Sequence, residues 1–335
     1  MQKNSGRLAR TRCGTDVRQN KKNTAAGKDK CVHIPVLCDA VTRLLRVREG
    51  DIALDATVDG GGHAAALLRR VGRGGKVIGV DADSKVLFQT AVRFSTPRFV
   101  AAAGNFRNLD TLLAARGIMH IDCALFDLGM STWQLEHSGR GFSFLRDEPL
   151  LMTFHPDPEP HETAAALLRR LSAPELTRIF REYGQERFAR RIADAIVARR
   201  REKPFRTTGE LVAVIAAVRP ERRGERLHPA TQVFQALRIA VNDELAALAK
   251  GIAAAWNMLQ PEGRIAVIAF HSLEDRIVKQ FFRKEAKNGR ARVLTKTPYI
   301  PTEAERKQNP RARSAKLRVA EKLPQEQRQN TDSDV

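Results

Sequence analysis

Short apolar runs alternate with helix-forming segments through the first half of the chain. The strand-like runs are residues 52–54, 76–80, 98–102 and 121–128. The helix-forming segments between them are residues 64–68, 84–94 and 109–115. Alternation at this spacing is typical of a parallel sheet with helices on both faces, in which ligands bind at the carboxyl ends of the strands. The pattern therefore predicts an α/β fold of the Rossmann type.

Helical periodicity without strand-like runs sets residues 162–218 apart from the rest. Its four apolar stripes are Leu167, Leu168 and Leu171; Leu176, Ile179 and Phe180; Phe188, Ile192, Ile196 and Val197; and Leu211, Val214, Ile215 and Val218. Sheet character returns at 263–270 after a predicted helix over 229–256, and the last strands are expected near 291–295 and 315–320. The sheet is therefore predicted to be split by an insertion.

These patterns divide the chain into five parts. The sheet domain takes residues 31–150 and 228–322, and the inserted all-helical domain takes 151–227. Residues 1–30 and 323–335 are polar segments without an apolar pattern, which favours disorder at both ends.

The net charge of the chain indicates what kind of partner it binds. The 335 residues carry a formal net charge of +20, and 42% are hydrophobic, so the chain is predicted to be a soluble globular protein with a polyanionic partner. Nucleic acid is favoured over a membrane, because the sequence has neither a basic amphipathic helix nor a run of about eighteen apolar residues. A basic surface kept only for solubility is the alternative.

Two segments concentrate the basic residues. Residues 1–30 are predicted to be a basic arm that adds non-specific RNA affinity, although an overlong start-site assignment or a mitochondrial presequence would look similar. The helical insertion carries further arginines that suit either a substrate-facing or a merely solvated helix face: Arg187, Arg190, Arg191, Arg199, Arg200 and Arg201.

Cysteine usage and the amino-terminal composition bear on location. The four cysteines, Cys13, Cys31, Cys38 and Cys123, form no Cys-x-x-Cys pair, which argues against a zinc site and a disulfide framework. The first thirty residues lack the apolar segment of a secretory signal. A reducing, cytoplasmic setting is therefore predicted.

A glycine-rich turn follows the first predicted strand. Gly60, Gly61 and Gly62 permit close approach of a ligand, and the start of the next helix offers free N–H groups. Asp81 ends the second strand about twenty residues later, where a carboxylate is placed to accept hydrogen bonds from a ribose diol. The pair predicts a nucleoside-binding site, and a tight turn without a ligand is the alternative.

Several long segments resemble one family. They are HIPVL (33–37), DATVDGGGH (55–63), VDAD (80–83), GNF (104–106), DLGMSTWQLEHSGRGFSF (127–144), YGQERFARRIADAIV (183–197), HPATQVFQALRIAVNDEL (228–245), FHSLEDRIVKQF (270–281) and NPRARSAKLR (309–318). In this order and spacing they are similar to the RsmH or MraW family of S-adenosylmethionine-dependent methyltransferases that make N(4)-methylcytidine in 16S ribosomal RNA. The resemblance implies a class I methyltransferase sheet and the small ribosomal subunit as partner.

Carried over residue by residue, the resemblance implies a set of cofactor contacts: Gly61, Gly62, His63, Asp81, Phe106, Asp127 and Gln134. Physical chemistry fits Asp81 to the ribose and Phe106 to adenine, although Phe106 also suits ordinary core packing and His63 suits a helix cap. No metal is expected.

The reaction implied by the resemblance needs an acceptor for the hydrogens of the cytosine amine. Asp127, at the end of the fourth strand, is the catalytic candidate, with capping of the following turn as its alternative role. The base must leave its stack to enter a pocket, and Arg140, Arg146 and Arg238 are candidates for contacts to the flanking phosphates or for structural ion pairs.

One loop departs from the family pattern. After Phe144 the family usually has a proline-leucine-aspartate-methionine-arginine-methionine-aspartate run, whereas this chain has Leu151, Thr153 and His155 in place of two acids and an arginine, and Trp133 where proline is usual. If the usual charges only hold the loop, apolar packing by Leu151 and Phe154 could replace them. The departure leaves open an RNA-binding assembly factor without methyl transfer. A nicotinamide-dependent dehydrogenase is a third possibility.

Overall fold

Seven strands form one mixed sheet in the order β3-β2-β1-β4-β5-β7-β6 in a computed structural model that describes residues 35–130, 132–220 and 228–324. The strands are β1 (Ile52–Asp55), β2 (Lys76–Asp81), β3 (Phe99–Ala103), β4 (Ile121–Asp127), β5 (Leu259–Ala269), β6 (Ala291–Val293) and β7 (Lys316–Lys322). The first five are parallel, as predicted. β7 is antiparallel to both β5 and β6, so the sheet is parallel where the strand and helix patterns alternate and mixed at its last strands.

Helices cover both faces of the sheet. They are α1 (Cys38–Leu45), α2 (Gly62–Arg70), α3 (Ser84–Phe94), α4 (Leu109–Ala114), α5 (Thr132–Glu136), α6 (Ala164–Arg170), α7 (Ala173–Glu182), α8 (Ala189–Glu202), α9 (Thr208–Val218), α10 (Ala230–Asn242), α11 (Glu244–Met258), α12 (Ser272–Lys287) and α13 (Glu303–Gln308). Successive side chains of each strand point to opposite faces: Leu54 joins the core under α4, α11 and α12, whereas Ala53 joins the core under α1, α2 and α3. Burial on both faces explains the continuous apolar runs of the sequence.

The helical insertion has a third core of its own. The predicted helix over 229–256 is two helices, because Asp243 takes a left-handed backbone conformation, with φ 48°, between α10 and α11. Val233, Phe234 and Leu237 of α10 pack with α6 to α9, whereas Leu248 of α11 packs on the sheet. The insertion therefore comprises α6 to α10, and its packing extends past the predicted end at residue 227 to Asn242.

Several features lie at the margins of the described residues. The predicted basic arm, residues 1–30, and the tail from residue 325 onward fall outside them, as do Cys13 and Cys31. The segment between β6 and β7 contains α13 and a short 3-10 helix, Pro310–Ser314. None of the helices in the described ranges is long and apolar enough to cross a membrane.

Candidate active site

A pocket opens at the carboxyl ends of β1 to β4 and encloses about 520 Å³ of empty space. The predicted residues Asp81, Phe106, Asp127 and Gln134 line it together, although they come from four different parts of the chain. Phe154 and Glu244, the first residue of α11, also line it. The sheet edge predicted to hold a ligand therefore carries a pocket lined by residues predicted for the cofactor.

The glycines of the turn after β1 serve packing and do not line this pocket. A Cβ at Gly61, whose φ is 73°, would lie 2.6 Å from Thr90 of α3, and one at Gly62 would lie 3.0 Å from Pro35. The glycines let α2 begin close to its neighbours. Asp59, just before these glycines, lines the pocket instead. Sequence reasoning missed it, although an acid in the turn of a strand-turn-helix unit is visible in the sequence.

Asp81 is fixed at the end of β2 by its backbone surroundings. Its Oδ1 accepts the Asp83 N–H at 2.8 Å and its Oδ2 accepts the Asp59 N–H at 2.8 Å. Burial raises the pKa of Asp81 to about 6 despite these hydrogen bonds. Each carboxylate oxygen keeps a second lone pair for a ligand hydroxyl.

His63 lies behind the pocket and holds Asp127. Its Nε2 is 3.3 Å from Asp127 Oδ2, and both side chains are buried. Burial disfavours the charged imidazole, but contacts with Asp127, Cys38 and Asp55 outweigh it and raise the pKa of His63 to about 10. The other oxygen of Asp127, Oδ1, is buried without a hydrogen-bond partner in the described part of the chain.

Buried carboxylates outnumber cations at this edge. Asp55, Asp59, Asp81 and Asp127 interact with one another and with His63. Burial and the neighbouring acids raise the pKa of Asp59 well above its usual range, and burial raises that of Asp55 to about 7. A cationic ligand would relieve this repulsion and supply the donor that Asp127 Oδ1 lacks.

The pocket has an aromatic lining residue, Phe106, held by a second ring. Phe106 lies edge-on to Phe126, with ring centroids 5.7 Å apart. Gly251 of α11 makes room for it, since a Cβ there would lie 2.7 Å from the Phe106 ring. A nucleoside carrying a positive charge at its other end therefore fits the residues present.

Glu244 faces these residues from the insertion side of the pocket. Arg238 of α10 donates to both of its oxygens, at 2.7 and 2.8 Å. Its carboxylate lies within 4.8 Å of His271 and Glu274, a group of three that could offer ligands to a metal ion. Burial, opposed by Arg238, raises the pKa of Glu244. Sequence reasoning missed this residue, although it belongs to the NDEL end of a segment singled out above.

The three arginines predicted for phosphate contacts differ in exposure. Arg140 is buried and paired with Asp83, and it also donates to the Phe154 carbonyl oxygen at 2.8 Å. Arg238 is held by Glu244 as described. Arg146 is exposed and donates only to the backbone oxygen of Glu136 among the contacts of the described residues. Ion pairing inside the fold thus argues against Arg140 and Arg238 as phosphate contacts.

The loop that departs from the family pattern is nevertheless well anchored. Asn242 Nδ2 donates to the Met152 carbonyl oxygen at 2.7 Å, and Asn242 Oδ1 accepts the Phe154 N–H at 2.8 Å. The Phe154 ring stacks on Phe142, with centroids 5.5 Å apart, and also lines the pocket. Hydrogen bonds from the Asn242 side chain and aromatic packing of Phe154 therefore hold this loop, which lacks the usual acids.

Strand order and pocket together define the class of the protein. A sheet ordered 3-2-1-4-5-7-6 with β7 reversed is the arrangement of class I S-adenosylmethionine-dependent methyltransferases, here with a helical insert. A solved structure of a putative methyltransferase from Streptococcus mutans in complex with SAH superposes with a TM-score of 0.42 at 13% identity, covering 87% of this chain and 99% of that one; a score at this level carries no weight in the assignment.

Sequence comparison gives the family. The model of the MraW methylase family matches residues 30–323. Ribosomal RNA small subunit methyltransferase H of Carboxydothermus hydrogenoformans is 44% identical over 308 residues, 87% of this chain and 98% of the relative. The proteins of that name from Thermomicrobium roseum and Pelobacter propionicus are each 46% identical over 87% of this chain, and cover 94% and 98% of their own lengths. The chain belongs to the MraW methylase family. The predicted family and enzyme class are confirmed, and the dehydrogenase alternative is wrong.

Proposed function

We propose that this protein transfers a methyl group from S-adenosylmethionine to the exocyclic N(4) amine of a cytidine in the decoding region of 16S ribosomal RNA. The observation that supports this most is that two carboxylates from separate parts of the chain, Asp127 at the end of β4 and Glu244 at the start of α11, line one pocket. One suits a cationic cofactor and the other suits an amine. The printed name of the relatives agrees with a small-subunit RNA substrate.

The cofactor is assigned to the sheet side of the pocket. Asp81 accepts the ribose hydroxyls, Phe106 packs on adenine, and Asp127 Oδ1 accepts from the ammonium group. Gln134 closes the same side. The remaining predicted residues support the pocket from outside it. The two glycines, Gly61 and Gly62, set the start of α2, and His63 orients Asp127.

The chain's chemical task is to orient an amine and to accept its proton. S-adenosylmethionine, when bound, supplies a methyl group on a positively charged sulfur. The lone pair of the cytosine amine is delocalised into the ring, so an acceptor that holds an amine hydrogen makes the nitrogen a better nucleophile. We assign this role to Glu244, with Asp127 contributing from the cofactor side. The amine gains the methyl group and gives up one proton, first to Glu244 and then to solvent.

The RNA is assigned to basic side chains that form no ion pair with another residue in the described part of the chain. Arg146 is one of them, and exposed arginines of α8 and the turn before it are others: Arg187, Arg191 and Arg201. Arg200 differs, since it donates to the Leu168 and Leu171 carbonyl oxygens and caps α6. We propose the assembled small subunit in the cytoplasm as the substrate, with the arm at residues 1–30 as an added RNA contact.

The test is methyl transfer from labelled S-adenosylmethionine to small subunits from cells that lack this enzyme, with the product nucleoside identified by mass spectrometry. Label in a single N(4)-methylcytidine is expected. Binding of cofactor and subunit without label would instead support an assembly factor, the reading that Leu151, Thr153 and His155 left open. Faster methylation of naked RNA fragments than of subunits would contradict the assembled substrate.

A further inference from the structure

A second cavity lies outside the active site, between α12 and the sheet edge formed by β6 and β7. It encloses about 980 Å³ of empty space. Its cationic lining residues are Lys279, Arg283, Arg292, Lys296 and Arg318, and no acid lines it among the residues that the structure describes. We refer to this cavity as the basic groove.

Only part of this charge is neutralised within the fold. Arg318 donates to both oxygens of Asp275, at 2.6 and 3.2 Å, and Arg292 pairs with Glu321. In the described ranges, three cations have no carboxylate within ion-pair distance: Lys279, Arg283 and Lys296. Because like charges held together repel, a groove of this kind favours an anion bound along it.

The floor of the basic groove is apolar and firmly supported. Lys279, Phe282, Arg283 and Ala286 are spaced as one face of α12, a helix of 16 residues. Phe282 is 1% exposed and belongs to the core beneath the sheet. A cationic rim above an apolar floor suits a nucleic acid strand, whose phosphates meet the cations while a sugar or base lies on the floor.

The basic groove leads to the edge of the sheet that carries the active site. α12 begins at Ser272, directly after β5, so Lys279 and Arg283 lie about 10 and 16 Å along the helix from that edge. On the sheet side, the lining residue Arg318 of β7 pairs with Val267, two residues before the end of β5. A strand leaving the active site would reach the basic groove within a few nucleotides.

We propose that the basic groove binds the backbone of the ribosomal RNA strand that flanks the target cytidine. The inference rests on the proposed function and adds a docking surface beyond the pocket. Three cations without an ion-pair partner in the described ranges, beside two that are paired, favour a phosphodiester backbone over an acidic protein segment, whose carboxylates would be fewer and less regularly spaced.

The experiment compares two triple variants that lower the net charge equally. Lys279→Ala/Arg283→Ala/Lys296→Ala alters the basic groove. Its control removes three exposed cations on α2 and the following turn, which pack on the other face of the sheet: Arg69→Ala/Arg70→Ala/Arg73→Ala. Unchanged thermal unfolding and S-adenosylmethionine affinity would show that both variants are folded.

The groove variant should raise KM for small subunits about ten- to hundredfold, with kcat at saturation retained, and make the slope of log affinity against log salt less negative by about 2. The control should change KM less than about threefold. Equal effects of the two variants, or an unchanged KM and salt slope, would overturn the proposal. So would loss of subunit binding with naked RNA binding intact, because the partner would then be a ribosomal protein. Failure of the wild-type protein to form N(4)-methylcytidine would count against the proposed function and not against the groove, whose RNA affinity is measured separately.

Discussion

At the scale of single residues, the two pocket carboxylates Asp127 and Glu244 differ in the residue that holds each of them. Asp127 is held by His63 within the sheet domain, whereas Glu244 is held by Arg238 of the insertion. Asp81 and Asp127 could be predicted because each ends a strand, and the end of a buried strand is visible in the sequence. Glu244 could not, since it enters the pocket only through the break between two helices that the apolar pattern joins into one.

Glu244→Gln should lower kcat about 10²- to 10⁴-fold, because the amide keeps the size of the side chain but does not accept the amine proton. S-adenosylmethionine affinity should stay within about twofold. Single-turnover rates against pH give the more specific signal: the rise of the wild-type rate as Glu244 ionises should be absent from the variant.

The control for this variant is Glu285→Gln. Glu285 is a buried glutamate that pairs with an arginine, Arg290 at 2.7 Å, but does not line the pocket. A comparable fall of kcat in both variants would assign the Glu244 effect to stability and not to the reaction.

Cofactor binding should weaken in acid because of Asp81. Its pKa of about 6 lies above the usual value for aspartate, so the carboxylate that we assign to the ribose hydroxyls is protonated progressively below pH 6. The Kd for S-adenosylmethionine should rise by up to about tenfold per pH unit between pH 6 and pH 5 and be level above pH 8. Calorimetric titration of the wild type and Asp81→Asn tests this: the variant should bind weakly at every pH, and a steep acid limb retained in it would contradict the assignment.

At the scale of elements, the strands and most helices could be predicted because burial on one or two faces leaves a direct trace in the apolar pattern. Strand direction leaves no such trace. β7 is buried like its parallel neighbours yet runs the other way. The break at Asp243 was also hidden, since a single residue in a left-handed conformation does not interrupt an otherwise helical sequence.

The segment between α5 and the anchored loop depends on two glycines that differ in the space around them. Gly139 and Gly141 have φ of 65° and 72°, but a Cβ at Gly141 would overlap the Pro149 carbonyl oxygen, whereas one at Gly139 would have nothing within 4 Å. Gly139→Ala should therefore cost about 1–2 kcal/mol of unfolding free energy for the backbone conformation alone. Gly141→Ala should cost more, by about 1–3 kcal/mol. Urea unfolding measures both, and equal losses would mean that the Pro149 contact relaxes freely.

At the scale of the whole molecule, the pocket joins two bodies with separate cores. Asp81 and Asp127 come from the sheet domain, and Phe154 lies against the insertion through its stacking on Phe142. A cofactor between them should stabilise both parts together.

Saturating S-adenosylmethionine should therefore protect the insertion as well as the sheet. At 100 times Kd the gain in unfolding free energy is about 2.7 kcal/mol for a single site. Limited proteolysis with and without cofactor, with fragments identified by mass, should show slower cleavage both in α6 to α10 and near β2. Protection confined to the sheet domain would show that the cofactor does not couple the two bodies.

Asp243, the left-handed residue between α10 and α11, lies next to the pocket residue Glu244. A rotation of the insertion about Asp243 would therefore be centred beside the pocket. α10 is about 20 Å long, so a rotation of about five degrees at Asp243 would carry its far end by nearly 2 Å. Glu244, which directly follows Asp243, would barely move. Such a layout would let the outer surface of the insertion shift while the carboxylate that we assign to the amine keeps its place.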